Sequence, residues 1–193
     1  MMDLANVGPG FAAPAAASQS VFRSALAALS RPGRILEIAP CGQPAARALL
    51  LSLLDQDTRL WLSPGARPEA AFLRFHTGCS IAETPAAASF ALVAAPDQLP
   101  ALDAFEWGSD DYPDRSTTLI VEVEALDADG RDGSWRLSGP GIRGETRLAA
   151  RGLGPQFLAM WAGNHKRFPR GVDLLLTCGA RLAGLPRTTR IED

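Results

Sequence analysis

At 193 residues, 47% of them apolar and 21% charged, the chain can fill one good core and is too short for two ordinary domains. These proportions exclude disorder as a description of most of the sequence. A formal net charge of −2 provides no overall field to draw it to nucleic acid or to a membrane surface.

Residues 1–17 are rich in Ala, Gly and Pro and are expected to form a flexible leader, with 18–193 as a single domain. Asp3, the lack of a basic n-region, and Pro9 and Pro14 argue against a signal peptide, so a cytoplasmic protein is the default expectation. Ser18 or Ser20 can cap a first helix, on which Phe22, Ala25, Leu26 and Leu29 form an apolar stripe. Arg31-Pro32-Gly33 ends it, because a residue before proline disfavours the helical region. A strand is expected over Arg34–Ala39 and a deeply packed helix over about Gln43–Gln56.

Next come a strand at Thr58–Ser63, a helix at Pro68–Thr77, and short strands near Ser80–Glu83 and Ser89–Ala94. A polar loop around Trp107–Ser116 precedes a strong strand at Thr118–Ala125, with Ser134–Ile142 as its hairpin or near neighbour. An amphipathic helix at Pro155–Lys166, a buried strand at Leu174–Cys178 and a last strand at Leu182–Leu185 complete the series. Helices and strands that alternate through short links predict an α/β fold, a mixed sheet with helices on its faces.

The sequence offers few motifs for chemistry. Gly139-Pro140-Gly141-Ile142-Arg143-Gly144 matches a dinucleotide fingerprint as text, but Pro140 removes a donor and no clear helix follows, so it reads as a turn. Lys166 is the only lysine among 19 basic residues, which excludes the usual phosphate-binding P-loop. It sits at a basic helix end, a poor place for a Schiff-base lysine. Cys41, Cys79 and Cys178 are far apart, and with only two histidines no metal site is expected. Glu106, Asp110, Asp111 and Asp114 could surround a hard cation, yet match no calcium-loop spacing and read equally as a solvated loop.

Two groups remain as anion or ligand candidates. Arg74, His76 and Thr77 could converge on an anion such as phosphate at a helix end; a histidine favoured by the helix dipole is the alternative. Either histidine could also serve a nucleophilic triad, and His76 is the better candidate of the two. Arg187, Thr188 and Thr189, in Pro186-Arg187-Thr188-Thr189-Arg190, offer guanidinium and hydroxyl donors, or simply a solvated tail. No nucleophile, base and orienting group can be assembled, so no catalytic residue is named.

Five segments together resemble the PhnH family, a subunit of the bacterial carbon–phosphorus lyase machinery. They are Phe22-Arg23 with Leu29–Gly33, Asp57-Thr58 with Leu60–Ser63, Leu73–Thr77, Leu137–Ile142, and the long block from Phe168–Asp173 through Leu174–Gly179 to Leu185–Thr189. The resemblance implies a three-layer core like that of pyridoxal-phosphate-dependent transferases, without the cofactor. It implies PhnG-, PhnI- and PhnJ-type partners and a homodimer in isolation; from the charge and hydropathy, no nucleic acid or membrane partner is expected. It also implies a share in forming a ribose 1-phosphonate 5-triphosphate from ATP and a phosphonate, with release of adenine. A stand-alone transferase on the same fold, or a structural adaptor without a ligand, would fit the sequence too.

Overall fold

Proline has no backbone N–H to lose in the first turn and a φ already suited to a helix. In the computed structural model, which describes residues 8–38, 41–128 and 133–192, helix α1 (Pro14–Ser30) accordingly starts at Pro14, ahead of either serine. Residues 1–7 of the expected leader, and Ala39 at the end of the first expected strand, lie outside the described residues.

The buried face of α1 is Val21, Ala25 and Ala28, whereas Phe22 and Leu26 are 45% and 52% exposed. The expected stripe was therefore rotated toward its larger side chains. The reason is close approach: a Cβ on Gly184 would lie 2.5 Å from the Ala28 carbonyl, so only small residues fit on that side of the helix.

The remaining elements follow the expected order, with shorter bounds. They are β1 (Leu36–Glu37), α2 (Ala45–Leu53), β2 (Arg59–Leu62), α3 (Ala70–Thr77), β3 (Ser80–Ile81) and β4 (Phe90–Val93). After three single 3-10 turns come β5 (Thr118–Glu122), β6 (Ala125–Asp127), β7 (Trp135–Ser138) and β8 (Thr146–Arg151). The chain closes with α4 (Gln156–His165), β9 (Asp173–Cys178), β10 (Arg181–Leu185) and β11 (Arg190–Glu192). No helix among the described residues is long and apolar enough to cross a membrane.

The fold is mixed α/β, built on a seven-stranded mixed sheet of order β1-β10-β9-β5-β4-β2-β3. Strands β9, β5, β4, β2 and β3 run parallel, while β10 and β1 add antiparallel pairs at one edge. Because successive side chains point to opposite faces, each central strand is apolar on both sides. Leu60, Leu62, Leu92, Ile120, Leu175 and Leu182 pack in the core shared with α1, α2 and α3. Ala91, Val93, Leu119, Val121, Leu174 and Leu176 pack in a second core with Phe157 and Trp161 of α4.

That second face is only partly helical. Val123 N–H still bonds to Thr177 O in the main sheet, and Glu124 N–H to Arg151 O, where the chain passes into a four-stranded sheet of order β11-β7-β8-β6. The 134–142 segment is therefore not a hairpin partner of β5; β7 pairs with β8 and β11. Strands β8 and β11 lie in segments where no strand was expected. β11 is short and gains its neighbour β7 from a distant part of the chain, while β8 lies between β7 and β6.

Candidate functional site

The segment Leu137–Ile142 leaves β7 through a glycine turn that other chain segments approach closely. Gly139 has φ +131°, and a Cβ there would stand 2.8 Å from Thr188 O. A Cβ on Gly141 would overlap the Ser30 carbonyl, and one on Gly33 would meet Leu137 and Thr146 at 2.7 Å. The turn that ends α1, the turn after β7, and the residues after β10 are thus mutually packed. Only glycine permits this without strain.

Arg187 ties the same region to the start of β9. Its Nε and one terminal nitrogen grip both carboxylate oxygens of Asp173, at 3.1 and 2.5 Å. The other donors reach Pro113 O at 2.8 Å, Pro169 O at 3.2 Å and Ser116 Oγ at 2.6 Å. All five guanidinium N–H groups are thereby used within the protein, and none is left for an anion. Asp173 also accepts the Arg187 backbone N–H at 2.7 Å. Thr189 is fully buried; its carbonyl accepts the Trp161 indole N–H at 2.8 Å, while its hydroxyl has no partner among the described residues.

Thr188 is different. It lines an open cavity of about 370 Å³ with Ser138, Gly139, Pro140, His165, Phe168 and Arg190. None of these residues is acidic. His165 stands 3.0 Å from Arg187 O through Nδ1. A carbonyl can only accept, so Nδ1 carries the proton and Nε2 presents a lone pair. Arg190 Nε donates toward that lone pair at 3.4 Å, and Arg190 pairs with no carboxylate among the described residues. Phe168 is 62% exposed at this site.

Arg74, His76 and Thr77 lie on the other face of the main sheet and do not converge. The Thr77 hydroxyl donates to Leu73 O at 2.8 Å and accepts from Cys79 N–H at 3.2 Å, so it closes the end of α3. His76 Nε2 contacts Gly8 O at 3.0 Å, and its ring lies 4.4 Å from Phe72 and 5.0 Å from Phe75. Arg74 is exposed and lines a separate cavity with Gly78, Cys79, Ser80 and Ile81. Of the two histidines the structure favours His165, which the sequence had ranked second. Its closeness in sequence to Phe168 was the available signal, but only folding brings Pro186–Arg190 and the turn after β7 to the same place.

Elsewhere, Glu106, Asp110, Asp111 and Asp114 are all exposed, with Asp110 3.1 Å from Arg170. Lys166 is exposed at the end of α4. A cavity of about 390 Å³ at the end of β5 is lined by residues that include Asp97, Glu122 and Glu124. Burial raises the Glu122 carboxyl above its ordinary range; nearby Glu69 raises it further and Arg47 opposes the shift. Arg47 itself is held by Glu69 through two bonds of 2.8 and 2.6 Å.

The folded state therefore binds a proton on Glu122 more readily than the unfolded chain does. Stability contributed by the protonated group is lost as pH rises from the ordinary value of 4.5 through the raised one. Glu122→Gln is expected to stabilise the protein at neutral pH and to flatten that part of the profile. Denaturant unfolding at several pH values checks it.

A family model described as "Bacterial phosphonate metabolism protein (PhnH)" matches residues 9–192. The chain belongs to the PhnH family. A PhnH-family relative from Rhizobium meliloti (strain 1021) is 42% identical over 190 residues, covering 94% of each chain. It is named "Alpha-D-ribose 1-methylphosphonate 5-triphosphate synthase subunit PhnH". A second relative, HtxG of Stutzerimonas stutzeri, is offered by its name as a C-P lyase subunit protein. It is 31% identical over 174 residues, covering 90% of this chain and 85% of that protein. Within the PhnH family pattern, the Leu137–Ile142 and Phe168–Thr189 blocks meet around the His165–Arg190 cavity, whereas the Leu73–Thr77 block lies on the opposite face.

Proposed function

We propose that this chain is a subunit of a carbon–phosphorus lyase assembly. In that assembly it takes part in converting ATP and a phosphonate into a ribose 1-phosphonate 5-triphosphate with release of adenine. The observation that carries this reading is the 42% identity, over 94% of both chains, to a protein named as a subunit of that synthase. Its expected companions are PhnG-, PhnI- and PhnJ-type subunits in the cytoplasm, with a homodimer when it is alone. The three-layer arrangement supports a core like that of pyridoxal-phosphate-dependent transferases, put to use without the cofactor.

The cavity beside α4 supports a binding role. Its arginine and hydroxyls can hold and orient a phosphate-bearing anion, and Arg187 serves by fixing the loop that carries Thr188. Arg74 is a second, separate anion candidate at the α3 end of the molecule.

Deleting the gene is expected to abolish growth on methylphosphonate as phosphorus source, and a plasmid copy to restore it. The purified chain alone should show no turnover, and a tagged copy should bring down the companion subunits. Normal growth of the deletion strain would refute the proposal.

A further inference from the structure

The cavity lined by Thr188, His165 and Arg190 has chemistry that separates into two halves. On one side are donors with nothing to hold. The terminal nitrogens of Arg190 and the hydroxyls of Ser138 and Thr188 make no side-chain hydrogen bond among the described residues. Among the described residues, no carboxylate lines the cavity to neutralise Arg190 or repel an anion. Gly139 keeps this wall at backbone thickness, since a Cβ there would strike Thr188 O. The close packing of Gly139 on Thr188 fixes the two hydroxyl-bearing segments, Ser138 and Thr188, side by side on this wall.

On the other side is an aromatic ring left in water. Phe168 is 62% exposed, yet its backbone is pinned: its N–H bonds to His165 O at 3.2 Å, and the next carbonyl accepts from Arg187 at 3.2 Å. A ring on a fixed backbone is a ready platform for stacking. His165 Nε2 accepts from Arg190 Nε at 3.4 Å and so holds that guanidinium beside the cavity.

Three other cavities among the described residues lack this pairing. The one at the end of β5 carries Asp97, Glu122 and Glu124, which repel an anion. The Arg74 cavity has no aromatic wall. The cavity beside Trp107 holds about 210 Å³, below the usual range of ligand pockets, and Arg167 already covers the indole at 3.4 Å.

We infer that the cavity of Ser138, His165, Phe168, Thr188 and Arg190 binds a nucleotide, its base stacked on Phe168 and its phosphates held by Arg190 and the two hydroxyls. At about 370 Å³ the cavity falls within the range of small-ligand sites. The inference rests on the proposed function for its choice of an adenine nucleotide as probe.

Titration calorimetry on the full-length purified chain, with ATP, inorganic tripolyphosphate and adenosine, tests it. ATP is expected to bind more tightly than tripolyphosphate, and adenosine most weakly. Phe168→Ala should weaken ATP about tenfold or more and leave tripolyphosphate unchanged. Arg190→Gln should weaken both. Thermal melts of the two variants, both at exposed positions, establish that they are folded.

No heat with ATP would overturn the inference. So would equal affinity for ATP and tripolyphosphate that is unaltered in Phe168→Ala. If the two variants lose their companion subunits in a pull-down yet bind ATP normally, the cavity is a protein-docking site and the inference fails. A chain that restores growth on methylphosphonate without binding ATP sinks this inference and spares the proposed function; one that binds ATP but restores no growth does the reverse.

Discussion

Arg187→Ala is expected to lower the stability of the domain by about 3–5 kcal/mol, the cost of leaving one partner of a buried ion pair alone. The pair qualifies, because the Arg187 and Asp173 side chains are only 12% and 22% exposed. Removing the guanidinium strands the Asp173 carboxylate and frees the acceptors Pro113 O, Pro169 O and Ser116 Oγ at once. In a domain of this size the loss corresponds to a drop in melting temperature on the order of 10 °C. Arg187→Lys should recover little of it, since an ammonium cannot reproduce a planar fork with five fixed donors. Thermal melts of the three proteins check the ordering. A variant that melts like the parent would mean that the pair is weakly formed in solution.

Gly184→Ala should be nearly as damaging, for a different reason. The added methyl would lie 2.5 Å from Ala28 C and O and 2.8 Å from Leu29 N, all backbone atoms of α1. No side-chain rotamer relieves a clash with backbone, so α1 must move away from β10. Overpacking of this kind costs about 1–3 kcal/mol where neighbours can give, and α1 also packs on α2. Gly163→Ala is the matched control. It lies within α4 with nothing near the new methyl, and should gain about 0.5–1 kcal/mol from helix propensity. Urea titrations of the two variants should therefore shift in opposite directions.

These two substitutions also mark the limits of reading a chain by local pattern. Pro186–Arg190 was recognisable as donor-rich, but the sequence held no sign that Asp173 and Ser116 would consume the donors of Arg187. Thr188 and Thr189 are adjacent and alike in type; one lines a cavity and the other is sealed beneath Trp161. Along α1 the larger apolar residues suggested the buried stripe, and Gly184 decided otherwise by demanding the smaller ones. The Arg74–Thr77 group looked like a site because three polar residues share a helix end. Each of Thr77 and His76 turned out to have a backbone partner already.

By itself the sequence determined the α/β class, the central strands and four helices, the turn after β7, and family membership through its five blocks. Those features are written locally, in hydrophobic period, in proline and glycine at turns, and in runs of particular residues. Only the tertiary structure decided the second sheet, the face of α1 that is buried, and the meeting of His165, Phe168, Thr188 and Arg190 with the turn at Gly139. These depend on pairing between segments far apart in the chain, whose energy resides in contacts that no local window contains.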